Sequence, residues 1–218
     1  DRAPYTDLSE DQQHYYGVIT AFDKQVGRLR DKLRELGMAE NTVLFYTSDN
    51  GPEGKSVSGR TQGLTNGLTG RKRSLHEGGI RVPGIMEWPG MIKPGTKVDV
   101  PCFTSDYFPT IANLLGVDLS ENKRPYDGVD MLPIVKDEVK QRTKPLAFDF
   151  QSQAALIDNE YKIYSDDSGR HFALYNIGKD IGENKDLSDE QPEKYNELVA
   201  YWRQWKGSQE SSALGKDY

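Results

Sequence analysis

Tyr15, Val18, Ile19, Phe22, Val26, Leu29, Leu33 and Leu36 recur at three- and four-residue steps, and that spacing limits the fold more than any other feature of the chain. Only a helix puts all of them on one face, kept up for about six turns. Ser9 followed by Gln12 makes a capping box at its start, and Gly37 supplies a left-handed stop at its end. Glu40 and Asn41 then turn the chain into Val43-Leu44-Phe45-Tyr46-Thr47, a β-branched and aromatic run. A long amphipathic helix feeding a buried strand predicts the α/β class. The strand stops at Ser48-Asp49-Asn50-Gly51-Pro52. In an open α/β sheet, ligands bind beyond the carboxyl ends of the strands. Asp49 and Asn50 would place hard oxygen donors there, which suit Ca²⁺ or Mg²⁺. The same Asp-Asn-Gly run is also ordinary turn chemistry.

The 218 residues leave room for one large domain or one and a half ordinary ones. A formal net charge of −6 argues against a general nucleic-acid binder. No apolar run approaches the length of a membrane span. Cys102 is the only cysteine, and its neighbours give no metal or redox spacing, so it is expected to be a small apolar core residue.

Residues 1–8 read as a polar arm without structure of its own, and His14 as a solvated residue in the first turns of the helix. Residues 51–70 are rich in Gly, Ser, Thr and Asn, an irregular length that is usually functional or mobile. They lead into Gly70-Arg71-Lys72-Arg73-Ser74-Leu75-His76-Glu77-Gly78-Gly79. A basic triplet alone is commonly a solvated surface feature; beside a metal at Asp49 it makes an anion pocket. Residues 84–90 read as a further strand ending in a turn. After a turn at 93–95, Val98 and Val100 alternate with polar partners. Asp106 can cap a helix over 107–115, with Pro109 in its first turn and Gly116 ending it. Residues 118–145 are loop-rich, and a composition shift at Thr143-Lys144-Pro145 divides the chain into 1–143 and 144–218. Beyond it, runs at 146–150, 154–157, 161–164 and 172–175 predict an antiparallel meander. Ser188 with Gln191 makes a second capping box, and Tyr195, Leu198, Val199, Trp202 and Trp205 form the stripe of a helix over that sheet. The last dozen residues are expected to fray.

The order of these motifs carries a resemblance. A long helix ending in Leu-Gly is followed by a strand, Thr-Ser-Asp-Asn-Gly-Pro-Glu and a Gly-rich loop. Then come Gly-Arg-Lys-Arg-Ser-Leu-His-Glu-Gly-Gly-Ile-Arg-Val-Pro, Glu-Trp-Pro-Gly and Asp-Tyr-Phe-Pro-Thr. Glu160-Tyr161-Lys162-Ile163, Ala173-Leu174-Tyr175-Asn176 and the stretch from Asp180 to Leu187 complete it. Over residues 14–206 the chain resembles the formylglycine-dependent type I sulfatases of the alkaline phosphatase superfamily. That resemblance implies part of a mixed-sheet α/β sandwich, then a small α+β domain with an antiparallel sheet and a C-terminal helix. It implies Asp49 and Asn50 as ligands of the active-site divalent cation, usually Ca²⁺, with Mg²⁺ as the alternative. Lys72, five residues before Glu77, matches the lysine that contacts the sulfate group, and His76 stands where it can contact the leaving group. Arg71, Arg73 and Arg81 are left as structural or solvated. Residues 59–66 belong to a loop of the kind that shapes such pockets.

The implied activity is hydrolysis of a sulfuric ester, foremost of a sulfated carbohydrate. A phosphonate or phosphodiester hydrolase of the same superfamily and a non-catalytic anion-binding fragment are the alternatives. The chain departs from the family in one large respect. It has no Cys/Ser-x-Pro/Ala-x-Arg motif to yield the formylglycine nucleophile, and it lacks the upstream aspartates, histidines and lysine. The expectation is therefore a C-terminal half, such as a nicked or processed product, active only with its N-terminal half as partner. An extracytoplasmic setting, periplasmic or secreted, goes with the resemblance.

Overall fold

The computed structural model describes residues 1–54, 62–120 and 124–216; much of the Gly-rich stretch, including 59–61 of the pocket loop, lies outside them. The chain forms two compact units, Asp1–Gly95 and Thr96–Tyr218. The composition shift at 143–145 falls inside the second.

In the first unit, α1 spans Glu10–Glu35. The capping box is made: the Gln12 N–H donates to Ser9 Oγ at 3.4 Å, and the Ser9 N–H donates to Gln12 Oε1 at 3.2 Å. Glu10 and Asp11 in the first turn and Lys32 and Arg34 in the last suit the helix dipole. Gly37, at φ +66°, ends the helix in the left-handed region. The polar arm, contrary to expectation, is docked on α1. Its Tyr5 hydroxyl bonds Thr20 Oγ1 at 2.8 Å and its ring lies 5.5 Å from that of Tyr16. His14 is exposed, as expected, beside Arg2.

Strand β1, Leu44–Thr47, pairs antiparallel with β2, Gly84–Glu87, in a register that sets Leu44 opposite Glu87 and Thr47 opposite Gly84. The Phe22 ring lies 5.9 Å from that of Tyr46, seating α1 on β1. Arg30 grips Glu87 with both ends of its fork at 2.6 and 3.0 Å, and that carboxylate raises the pKa of Arg30. The expected burial is only half achieved. β1 is half-buried, and Val18 and Phe22 of the helix stripe remain 69 % and 53 % exposed. Two strands offer too little surface to cover six turns of helix.

In the second unit, residues 98–100 form no strand. Asp106 does not cap the helix Tyr107–Leu114, which follows α2, Glu77–Ile80, and is therefore α3. Its backbone is already helical and its carboxylate is spent elsewhere. That carboxylate accepts the N–H groups of Phe103 and Val129, each at 2.8 Å, and both arms of Arg142 at 2.7 and 2.6 Å. With Asp106 and Arg142 both buried, this pair ties three distant loops together. Gly116 ends α3 at φ +69°. Cys102 is exposed rather than in the core, because it sits on the irregular stretch before Asp106. A short α4, Leu132–Val135, with Pro133 in its first turn, stands in the stretch read as loop-rich.

The meander is formed as predicted. Strands β3 (Leu146–Phe150), β4 (Gln153–Asp158), β5 (Tyr161–Ser165) and β6 (Ala173–Asn176) lie antiparallel in chain order. Ile163 stands opposite Leu156 and Leu174, and these join Ala154, Phe172, Leu198, Val199 and Trp202 in one core. Leu198, Val199 and Trp202 come from α5, Pro192–Ala213, so the aromatic stripe is core packing. Trp202 packs so closely on Gly169, at φ +77°, that a Cβ there would meet its ring at 2.6 Å. Ser188 makes no capping box, since the helix begins four residues later at Pro192. The helix also runs on to Ala213, into the stretch expected to fray. On the other face of the sheet Lys162 meets Glu183 at 2.8 Å, both side chains fully buried.

Candidate metal and anion site

Three backbone segments of the first unit meet where β1 ends. The Gly51 N–H donates to Gly79 O at 2.8 Å, the Gly78 N–H to Thr69 O at 2.7 Å, and the Lys72 N–H to Pro52 O at 2.9 Å. The approach is too close for side chains. A Cβ on Gly51 would sit 1.9 Å from Gly78 O, and one on Gly79 would sit 2.0 Å from Ser74 O. This is the physical reason for the Glu-Gly-Gly sequence: glycine lets strand end, basic turn and α2 share one small volume. Gly79→Ala is therefore expected to displace the 71–74 turn and cost about 1–3 kcal/mol in denaturant unfolding. Gly84→Ala, with nothing within 4 Å of its Cβ, serves as the neutral control.

Asp49, exposed, and Asn50, half-buried, stand just past β1. The Asn50 side-chain amide donates to Gly51 O at 2.8 Å, which leaves its amide oxygen as the donor atom for a ligand. A carboxylate and an amide oxygen side by side fit a hard cation such as Ca²⁺ or Mg²⁺. Among the described residues no group of three or more His, Cys, Asp or Glu forms a metal cage. The pair by itself could supply only part of the six to eight oxygens that Ca²⁺ takes.

The basic triplet divides its work. Arg71 donates to the carbonyls of Glu53 and Gly63 at 2.8 and 2.6 Å, a structural role. Arg73 Nη1 lies 2.5 Å from Glu53 Oε1, and Lys72 Nζ lies 3.6 Å from Glu53 Oε2. The Arg73 hydrogen bond, then the Gly54 N–H and the nearby cations, hold the Glu53 carboxyl down to about 2. His76 is half-buried at the start of α2, its N–H on Ser74 Oγ at 3.2 Å. Arg81 leans on the buried Glu77 at 3.3 Å. Glu53 had no role in the sequence reading. Its signal was a carboxylate just past the Gly-Pro turn, ahead of three cations.

The family model named Sulfatase matches residues 4–117, just over half of the chain. Human steryl-sulfatase is 37 % identical over 149 residues, covering 66 % of this chain and 25 % of that protein. Pig N-acetylgalactosamine-6-sulfatase is 40 % identical over 129 residues, covering 58 % and 24 %. The structure of Ps i-CgsB in complex with k-i-k-neocarrahexaose superposes with a TM-score of 0.82 at 28 % identity, covering 95 % of this chain and 46 % of that one. The chain thus spans about a quarter of the length of the curated relatives it matches. Motif order, fold and similarity agree, and the chain belongs to the sulfatase family.

Proposed function

We propose that this chain contributes two metal ligands and the sulfate-contacting lysine of a sulfuric ester hydrolase acting on a sulfated carbohydrate. The nucleophile belongs to a segment outside this chain. The observation that supports this most is the 2.9 Å bond from the Lys72 N–H to Pro52 O, which joins the basic turn to the segment just past Asp49 and Asn50. In this reading residues 1–143 are the C-terminal part of the catalytic α/β domain and 144–218 its small subdomain. The uncovered stripe of α1 supports packing against the N-terminal half. No helix among the described residues is long and apolar enough to cross a membrane, and an extracytoplasmic setting belongs to the same proposal.

The chemistry asks for charge. A sulfate ester gathers negative charge on its bridging oxygen as the S–O bond breaks. Asp49 and Asn50 would hold a divalent cation, Ca²⁺ with Mg²⁺ as the alternative, whose charge is then felt by the sulfate oxygens. Lys72 would give an N–H to one of those oxygens, and His76 would stand toward the leaving alcohol. A formylglycine on the partner half would supply the attacking oxygen. The carbohydrate substrate is suggested by the N-acetylgalactosamine-6-sulfatase relative and by the neocarrahexaose on the structural neighbour.

The test is turnover of 4-methylumbelliferyl sulfate by the full-length, formylglycine-bearing enzyme. Chelation is expected to lower the rate by about 100-fold or more, and Ca²⁺ to restore it. A sulfated galactose oligosaccharide should then be cut faster than a steroid sulfate or a phosphonate ester. A folded, metal-loaded enzyme without sulfatase turnover would sink the proposal.

A further inference from the structure

We propose that Arg73 is a positioning residue of the anion site. By taking the Glu53 carboxylate into a close ion pair, it keeps the neighbouring Lys72 ammonium available to a tetrahedral anion. The inference rests on the reading of Lys72 given above and adds a determinant of its charge.

One carboxylate lies between two cations. Glu53 Oε1 is 2.5 Å from Arg73 Nη1, a hydrogen-bonded pair, whereas Glu53 Oε2 stands 3.6 Å from Lys72 Nζ, beyond hydrogen-bond range. Arg71 does not share in this pairing, because its guanidinium is committed to the backbone oxygens of Glu53 and Gly63. A flexible ammonium this close to a carboxylate ordinarily closes the gap into a direct salt bridge. Here the guanidinium holds the carboxylate on its own side. Lys72 so keeps its N–H groups for an incoming ligand.

The backbone supports a selected role for the arginine. Arg73 has φ +73°, a left-handed conformation that glycine adopts without strain and a long side chain does not. In a segment that uses glycine at position 70 of the loop and at 78 and 79 in α2, the strained site nonetheless carries a guanidinium. Remove it, and among the described residues Glu53 keeps the Lys72 ammonium, 3.6 Å away, as its ion-pair partner. The ammonium would then be neutralised by its own protein, and an anionic substrate would compete with an internal carboxylate.

The experiment uses the full-length enzyme, 4-methylumbelliferyl sulfate as substrate and inorganic sulfate as inhibitor. Arg73→Gln is expected to raise both KM and the sulfate inhibition constant by about tenfold. Glu53→Gln should leave both near or below wild type. The double variant should recover to within about threefold of wild type, since no carboxylate is left to compete. Arg73→Gly, which relieves the backbone, should show the same raised constants as Arg73→Gln with a melting temperature no lower than wild type. A merely structural role predicts the opposite pattern, in which the double variant is as impaired as Arg73→Gln or more so. That result, or unchanged constants in both Arg73 variants, overturns the inference. Failure of the underlying site reading looks different: wild type does not turn over sulfate esters, or Lys72→Ala leaves kcat/KM unchanged.

Discussion

Replacing Lys72 by alanine in the full-length enzyme is expected to lower kcat/KM for an aryl sulfate by about 10²–10³-fold, the usual loss when a fixed charge-stabilising donor is removed from a transition state. Folding should survive. The 2.9 Å link from position 72 to Pro52 is made by the backbone N–H, which alanine retains. Lys72→Arg should recover part of the loss, because the charge stays but the planar fork replaces a compact ammonium. Steady-state kinetics beside a thermal melt separate the cases. A rate loss that tracks a lowered melting temperature would mean that Lys72 holds the turn and does not meet the substrate.

The second large effect lies in the other unit. Glu183→Ala should destabilise the chain by about 3–5 kcal/mol, because it removes the carboxylate paired with a fully buried ammonium. Both side chains are fully buried and 2.8 Å apart. The turn that presents Glu183 is held by Asp180, whose carboxylate accepts the N–H groups of Asn184 and Lys185 at 2.7 and 2.8 Å, so Glu183 cannot easily withdraw. Replacing both partners together, Lys162→Met with Glu183→Leu, should give back most of the loss, since neither charge then needs a counterpart. Denaturant unfolding of the two variants side by side checks it. If the double variant is as unstable as the single one, the shape of the pair matters and its charge does not.

Local chemistry was the legible part of the sequence. Ser9 and Gln12, Gly37 and Gly116 marked helix ends because capping and left-handed stops involve only neighbouring residues. The meander was legible for a similar reason: its strands follow one another across short turns. Asp106 misled because a carboxylate before a helix reads as a cap, while its partners, Val129 and Arg142, are far along the chain. Ser188 misled likewise, and the helix starts where Pro192 allows it. Cys102 was placed in the core on residue type alone, without the loop that carries it to the surface. The paired Asp49 and Asn50 and the basic turn were visible as residues, but not which cation would take which partner.

The sequence by itself determined most of the elements, their order, the family and the residue types of the candidate metal and anion site, because each depends on spacing along the chain. Only the tertiary structure decided that Glu53 belongs to Arg73 more than to Lys72, and that the Asp106 carboxylate turns back to Phe103 and out to Val129 and Arg142 and does not cap α3. Coulomb and hydrogen-bond energies depend on distances through space, and chain spacing does not set those until the backbone segments have packed.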